Sequence, residues 1–178
     1  MERNLRREDW LRQARLALLR SGVEAVRVER LARALGVTKG SFYWHFTGRK
    51  ELLESLLREW ENEVPEILQQ MGTGPAEGKF RALVRLLEQR ARLSEEGEVP
   101  SDAAIFAWAS VDPAVARRVN RAEEGRIRSL KRILGHGDRI ELFYLLWLGF
   151  VARGQRVPAT RKRFPEVARI MRRLLSKQ

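Results

Sequence analysis

Residues 36–46 read GVTKGSFYWHF. Four aromatic rings counting Phe46, a histidine, a lysine and two glycines fall within eleven positions, and a stretch this short cannot bury them in a core of its own. The residues before it show how they are shared out. Val28, Leu31, Ala32 and Leu35 repeat at helical spacing. Gly36 suits the left-handed turn residue that ends such a helix. Thr38 stands at the N-cap of another helix, over roughly Lys39–Phe46. Ala32 and Gly36 are four apart and small, so the two short helices can cross closely. Phe42 and Phe46 are also four apart, so they share one face and can pack, with Val37, onto Leu31 and Leu35. The opposite face then carries Lys39, Gly40, Ser41, Tyr43, Trp44 and His45, which offer cationic, hydrogen-bonding and planar groups. Lys39 and Gly40 also offer backbone N–H groups at a helix start, where phosphates bind. A short helix built this way has what entry into a DNA major groove requires.

Outward from this segment the chain reads as helices throughout. Arg6–Arg20 puts Trp10, Leu11, Ala14, Ala17 and Leu18 on one stripe, closed by Ser21-Gly22. A long helix follows from about Arg49 to Gln70, with Leu52, Leu53, Leu56, Leu57 and Trp60 on its apolar side. Pro65 within it predicts a kink or break. Met71–Gly78 reads as a loop, Lys79–Leu93 as a helix and Ser94–Pro100 as a second loop. Ser101 is expected to cap a short apolar helix, DAAIFAWAS. Asp112-Pro113 signals a new start, for a helix reaching about Leu134. Asp138 opens the next, to about Gln155. A basic connector, Val157–Arg163, leads to a last helix from Phe164 to Ser176. No strand pattern and no internal repeat occur. The expected fold class is all-α with about nine helices.

The 178 residues carry a formal net charge of +12 and are 44% hydrophobic, enough to bury a sizeable core. A balance this basic favours polyanionic partners. There is no cysteine and there are two histidines, which excludes disulfide and thiolate chemistry and disfavours a transition-metal site. The N-terminus has acids among its bases and no apolar core, unlike a signal peptide. The longest apolar run, Leu142 to Ala152, is too short to span a bilayer, so a cytoplasmic location is expected. No nucleophile–base pattern, P-loop or cofactor motif is present. The sequence therefore points away from an enzyme and implies no cofactor.

GVTKGSFYWHFTGRKELL closely resembles the recognition segment of TetR-family transcriptional regulators, whose form is GV-[ST]-x-G-x-[LF]-Y-x-[HY]-F followed by a K-[ED]-x-L helix start. The resemblance covers roughly residues 5–57. It implies a three-helix helix-turn-helix DNA-binding domain over residues 1–48 and a helical ligand-binding and dimerisation domain over residues 49–178. It also implies that Thr38, Ser41 and Tyr43 contact phosphates or base edges, that Lys39 and Trp44 face the groove, and that His45 reaches the DNA backbone. Lys50 would bind a phosphate, and Gly40 would permit close approach. The family usually has Ser or Thr where this chain has Arg27. Arginine cannot accept a backbone N–H, so either Glu29 or water satisfies that helix end, or Arg27 itself binds phosphate.

Beyond residue 57 the resemblance rests on helix number and length. RIELFYLLWLGFVA, residues 139–152, is apolar almost all round, so its helix must bury two faces. In the family the last two helices pair with their symmetry mates, which makes Leu142, Leu145, Leu146, Phe150, Ile170, Met171 and Leu174 the candidates for a homodimer interface. A twofold partner would place two recognition helices on a pseudo-palindromic operator. The family's middle helices usually enclose a small inducer. Here Trp60, Leu83, Leu87, Phe106, Trp108, Phe143 and Trp147 would line that pocket for a hydrophobic or aromatic ligand, and no buried acid specifies a compound. The expected protein is a repressor released from DNA by its ligand. A ligand-independent regulator or activator, or a helical small-molecule-binding protein with a structural N-terminal unit, are the alternatives.

Overall fold

The computed structural model describes residues 5–69, 75–135 and 137–175, and these contain nine α-helices and no strand. In chain order they are α1 (Arg7–Ser21), α2 (Val28–Leu35), α3 (Lys39–Tyr43), α4 (Arg49–Gln69), α5 (Ala76–Glu96), α6 (Asp102–Ala109), α7 (Pro113–Leu134), α8 (Gly137–Arg156) and α9 (Phe164–Leu175). Short 3-10 turns at Val23–Ala25 and Pro158–Arg163 precede α2 and α9. The start of the expected Met71–Gly78 loop and the expected end of α9 at Ser176 lie outside the described residues.

Local chemistry explains most boundaries. Gly22 takes φ 75° and its N–H bonds Leu18 O at 3.0 Å, closing α1. Asp112 Oδ1 accepts the N–H groups of Ala114 and Val115 at the head of α7, so the Asp-Pro signal is a true N-cap. Two expectations need correction, and a third, at Pro65, is narrowed. Ser101 makes no side-chain cap bond at α6. α5 runs to Glu96, through the first part of the second expected loop, because Leu93 and its neighbours continue the helix until Gly97 turns it at φ 76°. α4 passes Pro65 without a break; proline removes a single ladder hydrogen bond, which a 21-residue helix tolerates.

Packing divides the chain into two compact units whose borders fall inside helices. One comprises residues 1–62 and 90–116; the other comprises residues 63–89 and 117–178. The segment 1–48 lies within the first unit. Its core holds Trp10, Leu11, Leu31, Phe42, Phe46, Leu52, Leu56, Trp60 and Ile105, all nearly sealed from solvent. Two buried arginines tie its elements together. Arg15 on α1 donates from Nε to Gly97 O at 2.6 Å and from Nη1 to Glu59 Oε2 at 2.8 Å, and it also pairs with Glu8. Arg90 meets Asp102 Oδ2 at 3.0 Å and Pro100 O at 2.9 Å, while Trp60 Nε1 donates to Asp102 Oδ1 at 2.7 Å. Burial of charge is tolerated here because each group is paired and hydrogen-bonded.

In the second unit the core gathers Phe80, Leu83, Leu130, Leu134, Ile140, Phe143, Trp147, Phe164 and Met171. Phe80 meets Phe143 edge-on at 6.0 Å, and Trp147 meets Phe164 at 6.2 Å. α8 buries Ile140, Phe143, Tyr144 and Trp147 and leaves Leu142, Leu145 and Leu146 exposed. Within its own unit, then, this helix covers only one of its apolar faces. No helix among the described residues is long and apolar enough to cross a membrane.

Candidate nucleic-acid interface

α2 and α3 are joined by Gly36, held at φ 70° and ψ 33°, with Val37 N–H bonding Ala32 O at 3.0 Å. That is the left-handed helix end for which glycine is the least strained residue. α3 is shorter than expected: it ends at Tyr43, and Trp44 and His45 continue as a turn. The His45 N–H bonds Phe42 O at 2.9 Å, one residue nearer than in an α-helix, so the last turn tightens.

The aromatic rings divide by face. Phe42 is 0% exposed and Phe46 2%, whereas Tyr43 is 61% and Trp44 87% exposed. Phe42 stacks on Phe46 at 5.2 Å and meets the edge of Trp10, also at 5.2 Å. The Arg7 guanidinium lies 4.4 Å over the Phe46 ring, closing that side. A nearly fully exposed Trp contributes little to the fold, so its presence needs a reason outside the chain.

The same holds for Gly40. Its φ lies outside the left-handed range, and an added Cβ would meet only Thr38 Oγ1, at an ordinary 3.6 Å. Glycine inside a helix is about 1 kcal/mol less favourable than alanine. Among the described residues nothing demands that smallness.

Thr38 occupies the N-cap position, but its side chain makes no capping bond. Its hydroxyl is thus left on the exposed surface with Lys39 and Gly40, while Ser41 and His45 are half-buried. Lys39 Nζ reaches Glu29 Oε1 at 3.4 Å. The Glu29 backbone N–H, and after it the Lys39 ammonium, hold the Glu29 carboxyl below its usual range. Arg27 is exposed, donates from Nε to Glu24 O at 3.0 Å and pairs loosely with the Glu24 carboxylate at 3.5 Å.

The start of α4 completes the face. Glu51 accepts the Thr47 N–H at 2.7 Å and the Thr47 hydroxyl at 2.9 Å, and these bonds lower its carboxyl pKa. Arg49 donates to Val26 O at 2.7 Å and to Val23 O at 2.8 Å, fixing the approach to α2. Lys50, between them, is exposed. Arg49 was not legible as a clamp, because its carbonyl partners lie 23 and 26 residues back.

The other expected sites are placed as follows. Of the seven pocket candidates, Trp60, Phe106 and Trp108 belong to the first unit and Leu83, Leu87, Phe143 and Trp147 to the second. Leu87 and Phe106 are half-buried and the rest buried. Asp102, 5% exposed, corrects the expectation that no acid is buried near them; the sequence hid it as the first residue of an apolar helix. Leu142, Leu145, Leu146 and Ile170 are exposed, and Phe150 is half-buried. Met171 is 0% exposed inside the second unit's core, which corrects its assignment to a surface between copies. α9 turns Met171 inward and Ile170 outward. The Leu174 side chain lies outside the described residues.

Residues 11–56 match the family model for bacterial regulatory proteins of the tetR family. A stretch of 36 residues, 20% of the chain, is 44% identical to the HTH-type transcriptional regulator SrpR of Pseudomonas putida and spans 17% of that protein. Over the whole fold, the chain superposes on a TetR-family transcriptional regulator from Streptomyces coelicolor with a TM-score of 0.72 at 20% identity, covering 96% of each chain. It superposes on the fatty acid degradation regulator FadR from Bacillus halodurans with a TM-score of 0.71 at 16% identity, covering 96% of this chain and 95% of that one.

Proposed function

We propose that this chain, which belongs to the TetR family, is a sequence-specific DNA-binding transcriptional regulator and not an enzyme. It works as a homodimer on a pseudo-palindromic operator and represses until a small hydrophobic ligand releases it. The observation that carries the DNA-binding part is the opposed exposure of Phe42 and Phe46 against Tyr43 and Trp44. Two rings anchor the element and two stand in water beside Lys39, Gly40 and Thr38. Tyr43 and Thr38 supply hydroxyls, Trp44 a planar surface, and Lys39, Lys50 and Arg27 positive charge for phosphates. Ser41 and His45 flank them. In the free protein Lys39 rests on Glu29; a phosphate replaces that carboxylate when DNA docks.

The homodimer is supported by the exposed leucines of α8 and by Ile170 on α9. The ligand part is supported within the first unit by Phe106, half-buried and edge-on to the buried Trp60 at 5.9 Å. Release works if the ligand prefers a conformer in which the two recognition elements no longer match the half-sites.

The test is a gel shift with DNA from upstream of the chain's own gene. Tyr43→Ala with Lys39→Ala should lower operator affinity by at least about 100-fold, or ~2.7 kcal/mol, while the oligomeric state and thermal midpoint hold. Affinity of the unaltered protein should fall steeply with salt. Normal operator binding by the double variant would refute the assignment of the face.

A further inference from the structure

We propose that the second unit holds a separate site for an amphiphilic anion: a phosphate headgroup carrying an apolar tail, bound in the cleft between α5 and α9. The cleft has a volume of about 330 Å³ and opens to solvent, within the range of small-molecule sites. Arg81 and Arg85 line it from α5, and Arg169 and Arg172 line it from α9. The first pair is spaced i,i+4 and the second i,i+3, so each pair shares one helix face. All four are exposed, and among the described residues none of them has an ion-pair or hydrogen-bond partner. Some arginines elsewhere are matched with acids, as Arg7 is with Glu51, Arg12 with Glu98, Arg58 with Glu54 and Arg128 with Glu124. Others, such as Arg20, Arg30 and Arg33, are unpaired too among the described residues, so what sets these four apart is the apolar cleft they border. Glu166, on α9 itself, is held by Arg163 at 3.0 Å.

Like charges at this spacing disfavour their helices, and two such pairs facing one cleft repel each other as well. An anion between them removes that repulsion. The planar guanidinium fork binds phosphate oxygens two at a time, and four forks suit a headgroup of more than one negative charge. Between the arginines the cleft is apolar: Phe80 is buried, and Val84 and Ala168 are half-buried. An inorganic ion would leave that floor wet, and a duplex is far too broad to reach it. A second copy of the chain would bring four more arginines to the same place. A tail of a few methylenes on a phosphate covers the floor while the head meets the guanidinium groups. This cleft shares no residue with the DNA-facing surface or with the seven aromatic and aliphatic pocket candidates.

Calorimetric titration of the full chain at fixed ionic strength tests the site, with octyl phosphate, octanol and inorganic phosphate as separate probes. Octyl phosphate should saturate one site per chain at least tenfold more tightly than either of the others. Arg85→Glu with Arg169→Glu should weaken it at least tenfold. Ala168→Trp, which fills the floor and keeps every charge, should weaken it comparably. Because the altered arginines are exposed and their reversal relieves repulsion within each helix, the thermal midpoint should not fall and specific operator binding should persist, so failure here is distinguishable from failure of the DNA-binding reading. Three results would overturn the proposal: no saturable binding of octyl phosphate, equal affinity for inorganic phosphate, or undiminished binding to the double arginine variant.

Discussion

α3 and α8 solve the same geometric problem with different side chains. Each buries one row of large residues and leaves another in water. On α3 the buried residue is Phe42 and the exposed one Tyr43, and just beyond the helix Phe46 and Trp44 extend the two rows. On α8 the buried row is Ile140, Phe143, Tyr144 and Trp147, and the exposed row is Leu142, Leu145 and Leu146. The exposed residues of α3 are amphipathic rings set among Lys39, Thr38 and His45. Those of α8 are aliphatic. A ring with a polar edge beside a cation suits a polyanion that also offers flat bases; bare leucines suit only another apolar surface. The chemistry of the face that folding leaves open thus separates two partners that burial alone would confuse.

The largest expected effect breaks the inward half of α3. Phe42→Ala removes a fully buried ring that touches Trp10, Phe46 and Tyr43. It should destabilise the first unit by about 3–5 kcal/mol, as large-to-small core changes do. Trp44→Ala should change stability by less than about 0.5 kcal/mol yet weaken operator binding. Chemical denaturation of both variants, followed by gel shift, checks the contrast. Equal loss of stability in the two would mean that the two faces are not distinct.

The next effect concerns the open face of α8. Leu142→Glu with Leu145→Glu puts two charges on a surface proposed to meet its own copy. Sedimentation velocity should show monomers, with the dimer dissociation constant raised at least about 100-fold, or ~2.7 kcal/mol. Met171→Ala is the control from the buried side. It should destabilise the second unit by about 2–5 kcal/mol without first loosening the dimer. Leu142→Glu with Leu145→Glu remaining dimeric at nanomolar concentration would remove α8 from the interface.

The comparison also shows what a sequence can disclose. The split of Phe42 and Phe46 from Tyr43 and Trp44 was legible because their i,i+4 spacing survives the end of α3: the Phe46 N–H still reaches Phe42 O at 3.1 Å. The nine helices were legible from helical spacing, helped by glycine and Asp-Pro punctuation. The single-chain fate of Met171 was not legible. Ile170 and Met171 are neighbours on one amphipathic stripe, and only the packing of α9 decides which turns inward. Arg15 was equally hidden. It reads as a surface arginine on α1, but Gly97 O and Glu59, its partners, are 82 and 44 residues away. Its carboxylate Glu59 is partly desolvated, and that raises the Glu59 pKa in spite of the arginine. Asp102 escaped because an acid at a helix start reads as a cap until its buried partners Arg90 and Trp60 are seen.

The smallest predicted effect lies where α3 hands over to α4. Thr47 donates its N–H and its hydroxyl to Glu51, and these bonds keep the carboxylate charged further into acid than in an unfolded chain. A group whose folded pKa is lowered stabilises the native state above its unfolded pKa and stops doing so as pH falls through the folded one. Stability of the first unit should therefore fall on acidification below the usual glutamate range, and part of that fall belongs to Glu51. Glu51→Gln keeps an oxygen acceptor but cannot titrate, so its loss of stability between neutral pH and pH 3 should be shallower than that of the unaltered chain. Glu59 works in the opposite sense: its raised pKa favours the native state on protonation, so Glu59→Gln should make the same fall steeper. Thermal midpoints across that range separate the two. Profiles of both variants identical to that of the unaltered chain would mean that neither carboxylate contributes to the acid response.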